Sequence, residues 1–350
     1  MRLDARKALG AVALGTVLIL STSVCAAGIL TLTPAGISQG FTLTTFATVN
    51  PGGTLNMGPY GVGVLPNGNV MVNNYSNNTR YIWPDVDGQT VSSALSTITP
   101  SGALDTAFAR AGGQLYGGIF PQFVQFNTDG SVNHALTGII QNPYFGMWGN
   151  LANGHVIATT NQGQIIDINP AGNGGTGSAT VLASPGLVYD GLTVSPDGST
   201  IYVEQNNHII GYTTSSGAQV YDSGALTGTP DGIGVISSTN PALNGKLIVN
   251  FNGVSLVGFV ALLDPSTNTL TTIASGGTRG DYISPDPTNG SVFLDYSDIV
   301  YRLSCGSNCA IGQPPTAPPP TTPAPSSLLL LVTGLAAAGM YLTKRRFAKQ

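Results

Sequence analysis

Residues 190–207 read Asp-Gly-Leu-Thr-Val-Ser-Pro-Asp-Gly-Ser-Thr-Ile-Tyr-Val-Glu-Gln-Asn-Asn. Two short β-rich runs, Leu192 to Val194 and Thr200 to Glu204, flank Asp197-Gly198, a pair that accepts positive φ cheaply and so turns a hairpin. The same arrangement recurs along the chain. A turn pair precedes a β-rich run at Asn67-Gly68, Gly112-Gly113, Asn153-Gly154, Asp197-Gly198, Asn244-Gly245 and Asn289-Gly290. The spacings between successive turns are 45, 41, 44, 47 and 45 residues.

Each unit then carries a second strand ending in a polar turn (Gly163 to Gly172, His208 to Gly217) and a third segment rich in Thr and Val. A leading strand precedes most of the turns, as in Tyr60 to Pro66 and Asp231 to Ser237. Leu104 to Arg110 is a poor match to that leading strand. Four strands per roughly 44 residues is the signature of a propeller blade, and six turns predict six blades. The last unit ends at Ser304 after three strands. Residues 40–48, Gly-Phe-Thr-Leu-Thr-Thr-Phe-Ala-Thr, look like an unattached fourth strand, which predicts a ring closed by the chain's own N-terminal segment. The expected fold class is all-β, a six-bladed β-propeller over residues 28–304.

Composition supports this and narrows the function. The chain has 350 residues with 47 Gly, 23 Pro and only 8% charged residues, too few for a disordered or coiled-coil chain. Between Gly28 and Gln313 there are five basic and fifteen acidic residues, a body charge of −10 that argues against nucleic-acid partners. Seven of the twelve basic residues lie at the two ends. Arg2, Arg6 and Lys7 precede an apolar run and small residues up to Ala27, the layout of a secretory signal peptide over 1–27 that would remove Cys25. A Pro/Thr/Ala tract from Gln313 to Pro325 reads as an extended spacer. Residues 326–350 hold an apolar stretch, 328–342, and then Lys344-Arg345-Arg346, a short transmembrane helix with a positive cytoplasmic stop. The expected protein is therefore exported and anchored in the cell envelope by its C-terminal helix. Cys305 and Cys309, in a Cys-Gly-Ser-Asn-Cys loop of an exported chain, are expected to form a disulfide.

Two columns of side chains carry the candidate chemistry. The starts of the leading strands give Tyr60, Tyr144, Asp190, Asp231 and Asp281, which would line one mouth of the central channel. Three carboxylates and two phenols there suit an oxygen-preferring cation such as Ca²⁺, or alternatively cap turns and neighbouring amides. The strand after each turn gives Asn73, Thr159, Glu204, Asn250 and Asp295. Glu204 is the single glutamate of the chain; buried in a nearly uncharged body it would have a raised pKa and suit acid–base chemistry, and at a wet rim it would not. His134, His155 and His208 share no spacing and read as surface residues. Tyr60, Tyr75, Tyr81, Trp83, Tyr144 and Trp148 divide between sugar-stacking and inter-blade core. No phosphate-binding loop is present.

The quoted stretch resembles repeats of the senescence-marker/gluconolactonase-like and NHL-like propellers, and Pro230-Asp231-Gly232 resembles the element with which those lactonases present a metal-ligand carboxylate. The resemblance implies Asp231 as a ligand and Asp190 where the pattern has Asn. The pattern's glutamate has no counterpart near Tyr60, and its other Asn falls on Tyr144. Pro323-Ala324-Pro325-Ser326-Ser327 and the leucines from Leu328 resemble the PEP-CTERM sorting tails of bacterial exported proteins, with Ala324 in place of that family's Glu. That likeness implies an exosortase-type processing partner. Three functions fit: an envelope-displayed module binding an extracellular polysaccharide or protein, a metal-dependent lactonase or esterase at the mouth, and a structural spacer.

Overall fold

The computed structural model describes residues 28–49, 58–100, 105–119, 122–139, 144–186, 190–252 and 257–314. The signal-peptide segment, most of the Pro-rich spacer and the apolar tail at 328–342 lie outside these residues. Among the described residues no helix is long and apolar enough to cross a membrane.

The turn chemistry works locally as expected. In the fourth unit, Leu192–Val194 pairs with Thr200–Gln205, and Gly198 takes φ +74. The Asp197 carboxylate accepts the Ser199 N–H at 3.0 Å and the Ser195 hydroxyl at 2.5 Å, closing the turn from within. His208–Thr213 and Gln219–Asp222 complete an antiparallel four-stranded sheet. Five other sheets repeat this meander. The six leading strands are Pro59–Val64, Asp105–Ala111, Tyr144–Asn150, Leu192–Val194, Thr229–Ser238 and Gly280–Pro285. Each packs against the leading strands of both neighbours, the sixth against the first, so the sheets form a closed six-bladed ring. The core lies between the blades, which is why the strands alternate so little: Pro59–Val64 and Val70–Asn74 are buried at every position. The second unit corrects the sequence reading. Asp105–Ala111 is a full leading strand despite its poor match, with Phe108 and Ala109 buried between blades.

The ring closes with N-terminal chain. Thr42–Thr48 pairs antiparallel with Ile299–Ser304, Thr42 opposite Ser304 and Thr48 opposite Ile299, as the outer strand of the sixth blade. Gln89–Thr90 of the first blade adds in parallel to Ala47 and Thr48. Phe46, fully buried, meets Phe293 at 4.9 Å and Trp83 at 6.3 Å, so one side chain bridges the last blade and the first. Arg302 lies over the Phe46 and Phe293 rings and binds Asp85, Asp87 and Asp286.

Cys305 and Cys309 form the expected disulfide, with Cα atoms 5.6 Å apart. The folded body nevertheless continues past Ser304. Cys309–Ile311 pairs with the end of the fifth blade's leading strand, Ile311 opposite Ile236, and the Gly312 N–H donates to the Val235 carbonyl at 2.6 Å. Ile311, Ile283 and Trp148 thereby fill the channel near the ends of the leading strands. The disulfide holds this returning segment as well as finishing the last strand.

Candidate functional site: a cluster of buried acids at the propeller axis

Five leading strands carry a bulge near their start, where two residues face one on the second strand. Register counted inward from these bulges aligns Tyr60, Thr106, Phe145, Asp190, Asp231 and Asp281. Asp190, Asp231 and Asp281 thus share one position in three consecutive blades, as their spacing suggested. Tyr144 does not belong with them. It sits one residue earlier, buried in the inter-blade core with its ring 5.4 Å from Phe123, and Phe145 occupies the position facing the mouth. The blades approach so closely here that the next residue is glycine in blades three to five. A Cβ on Gly146 would lie 2.3 Å from the Asp190 carbonyl, and one on Gly191 would lie 1.9 Å from that of Asp231.

Opposite each bulge stand Asn73, Gly118, Thr159, Glu204, Asn250 and Asp295, the second column of the sequence. One duty of this column is structural. The Thr159 hydroxyl accepts the Gly146 N–H at 2.8 Å, and Glu204 Oε2 accepts the Gly191 N–H at 3.0 Å. Asn250 donates to the Asp281 carbonyl at 3.1 Å and accepts from the Tyr296 hydroxyl at 2.8 Å. Because a neutral hydroxyl satisfies the bulge in the third blade, an ionisable carboxyl at Glu204 exceeds what the fold requires.

The acids interact strongly. Burial and then the negative charges of Asp231 and Asp190 push the Glu204 carboxyl well above its ordinary range. Burial, followed by Asp190, pushes Asp231 up to about 7, although Arg279 and a hydrogen bond from Asn252 act the other way. Asp281 is raised by burial and by Asp231, and its Oδ1 has no hydrogen-bond partner. Asp190, half-buried, is raised by burial against the pull of Arg279. Asp295 is fully buried, and neither carboxyl oxygen has a partner at hydrogen-bonding geometry. Burial lifts it to about 8, with only a weak opposing pull from the Gly61 N–H. Sequence reasoning missed Arg279, the cation that faces Asp190, Asp231 and Asp281 from the start of the sixth blade. Its position two residues before Asp281 was the available signal.

Aromatic rings cover one side of the cluster. Tyr60 packs edge-on against Tyr282 at 5.0 Å and tilted against Tyr75 at 5.4 Å, and the Tyr282 hydroxyl donates to the Phe145 carbonyl at 2.7 Å. Tyr81 and Trp83 are inter-blade core, and Trp148 lies at the far end of the channel. His155 and His208 sit on Asp167 and Asp222, each at 2.8 Å, away from the mouth. Beneath the rings, the gap lined by Asp190, Leu192, Ile233, Tyr282 and Ile283 is too narrow for a water molecule.

The fit to a cation is split. An all-oxygen donor set and the orphaned Asp281 Oδ1 suit a hard divalent ion. The placement does not, for among the described residues no three His, Cys, Asp or Glu side chains are disposed to hold one metal ion. What the arrangement does offer is a set of carboxyls that share protons near neutral pH, beside phenol rings.

Solved structures with a similar fold include a gluconolactonase of Xanthomonas campestris, 16% identical with a TM-score of 0.57, the likeness covering 80% of this chain and 98% of that one. A putative gluconolactonase is 12% identical with a TM-score of 0.56, covering 82% and 96%. At these identities the likeness establishes the fold, a six-bladed propeller. No protein-family model matches the chain, and no curated protein matches it in sequence.

Proposed function

We propose that the protein is a binding propeller displayed outside the cytoplasm, and that the acid mouth recognises a hydroxyl-rich ligand such as an extracellular polysaccharide. The observation that carries this reading is the cluster itself: acids from three consecutive blades, all with raised proton affinity and with Asp281 Oδ1 lacking a donor, beside the Tyr60–Tyr75 ring pair. Sugar hydroxyls can donate to the part-exposed Asp190 at the rim, and tyrosine rings offer a face for the C–H side of a pyranose. The described chain ends beside the opposite mouth, where Gly312 and Gln313 lie against Trp148 and Asp286. A membrane tail following the Pro-rich spacer therefore leaves the acid mouth facing outward. Truncation after Pro314 should give a soluble, folded body; a truncated protein still in the membrane fraction would contradict the anchor.

The second reading is a metal-dependent lactonase or esterase with Asp190, Asp231 and Asp281 as ligands and Glu204 assisting. The gluconolactonase-like fold and an Asp231 held near neutrality favour it, and the present placement of the carboxyls does not. Titration of neutral polysaccharides and of glucono-lactone into the body, with and without millimolar Ca²⁺, separates the two. The binding reading expects saturable polysaccharide binding without turnover, weakened at least tenfold in Asp190→Asn/Asp281→Asn. Ca²⁺-dependent lactone hydrolysis would replace it with the second. Polysaccharide binding undiminished in the double variant would remove the acid mouth from both.

A further inference from the structure

At the other end of the channel lies a separate cleft of about 240 Å³. Its walls include Arg110, Trp148, Leu151, Pro285, Pro287 and Gln313, and the surface it presents is mostly apolar. Arg110 ends the leading strand of the second blade, opposite Leu115, and is half-buried. We propose that this cleft is a binding site for a small organic anion with an apolar ring or chain, its charged group on the Arg110 guanidinium and its body against Trp148 and the two prolines.

Two acids have side chains outside the described set: Asp4, in the segment read as a signal peptide, and Asp105, at the start of the strand that carries Arg110. Among the described side chains no carboxylate forms an ion pair or hydrogen bond with Arg110. The nearest charge influence is Asp286, which is committed to Arg302. In contrast, Arg302 takes three aspartates and Lys246 takes Asp264 at 3.5 Å. A half-buried guanidinium without a carboxylate is costly to hold, and burial indeed lowers its affinity for its proton. Residues 299–350 contain no Asp or Glu side chain. The volume limits the ligand to about the size of a benzoate, below the usual range for drug-sized sites. Leu151, 47% exposed at the rim, extends the apolar wall outward.

Benzoate titrated into the full-length protein tests this, with benzamide as the uncharged isostere and saturation-transfer NMR as the readout. Benzoate should bind with a millimolar or tighter Kd, and benzamide at least tenfold more weakly. Arg110→Gln should weaken benzoate at least tenfold, Arg110→Lys should retain part of the affinity, and Lys246→Gln should leave it unchanged. Leu151→Glu, at an exposed position where folding is safe, should block benzoate by placing a carboxylate beside Arg110. The proposal is overturned if benzoate fails to bind at 10 mM, if benzamide binds equally well, or if neither Arg110→Gln nor Leu151→Glu changes its affinity.

Discussion

Replacing Phe46 with alanine should destabilise the propeller by about 3–5 kcal/mol, the range for a buried aromatic truncated in a close-packed core. The effect is large because Phe46 fills space that belongs to two blades at once. Its ring meets Phe293 of the last blade and Trp83 of the first, and it lies under the Arg302 guanidinium. Arg302→Met should cost a similar amount by another route. It leaves the fully buried Asp286 carboxylate, and its neighbours Asp85 and Asp87, without their cation, and removing one partner of a buried ion pair costs about 3–5 kcal/mol. Deleting residues 42–48 goes further and exposes the ladder edge of Ile299–Ser304, so it should prevent stable folding. By comparison Ile37→Ala, at a position 64% exposed, should stay within about 0.5 kcal/mol. Chemical denaturation of the body measures all four. If Phe46→Ala and the deletion behaved like Ile37→Ala, the N-terminal strand would be a decoration on a ring closed without it.

Stability should fall steeply as pH rises from about 4 to about 8. Asp231 and Asp295 hold their protons up to about 7 and about 8, and Glu204 and Asp281 are raised too, whereas the unfolded chain releases these protons near the ordinary carboxyl values of 3.8 and 4.5. Between those limits the folded state binds more protons than the unfolded state, so the contribution is complete below pH 4 and is lost through the folded-state pKa values. The direction is opposite to that of an acid stabilised by a salt bridge. Thermal melts at pH 5 and pH 8 should differ by roughly 5–15 °C in favour of pH 5.

Much of the architecture was legible because it rests on local chemistry. Asn-Gly and Asp-Gly turns at a near-constant spacing mark the blades, and the missing fourth strand of the last unit pointed to residues 40–48. The rest was hidden by interactions that leave no local pattern. A bulge adds one residue without a sequence mark, so Tyr144 was aligned where Phe145 belongs. Asp105–Ala111 is strand because neighbouring blades bury it, and its own residues do not announce that. The return of Ile311 to pair with Ile236, across seventy-odd residues, follows from closure of the channel rather than from the sequence near the disulfide. The three aspartates of the mouth were visible from spacing. That Arg279 faces them and that Asp281 and Asp295 lack donors needed the fold.

The acid mouth is a site held at a cost to stability, because a hydroxyl at Thr159 performs the structural duty that Glu204 performs with a buried carboxyl. The most direct measurement is the melting temperature at pH 8 of Asp231→Asn/Asp281→Asn against the parent protein. Removing two mutually repelling buried acids should raise it by several degrees, with the gain shrinking at pH 5, where the parent acids are protonated. A double variant that melts lower than the parent at pH 8 would show that these carboxylates support the fold, and would contradict the account.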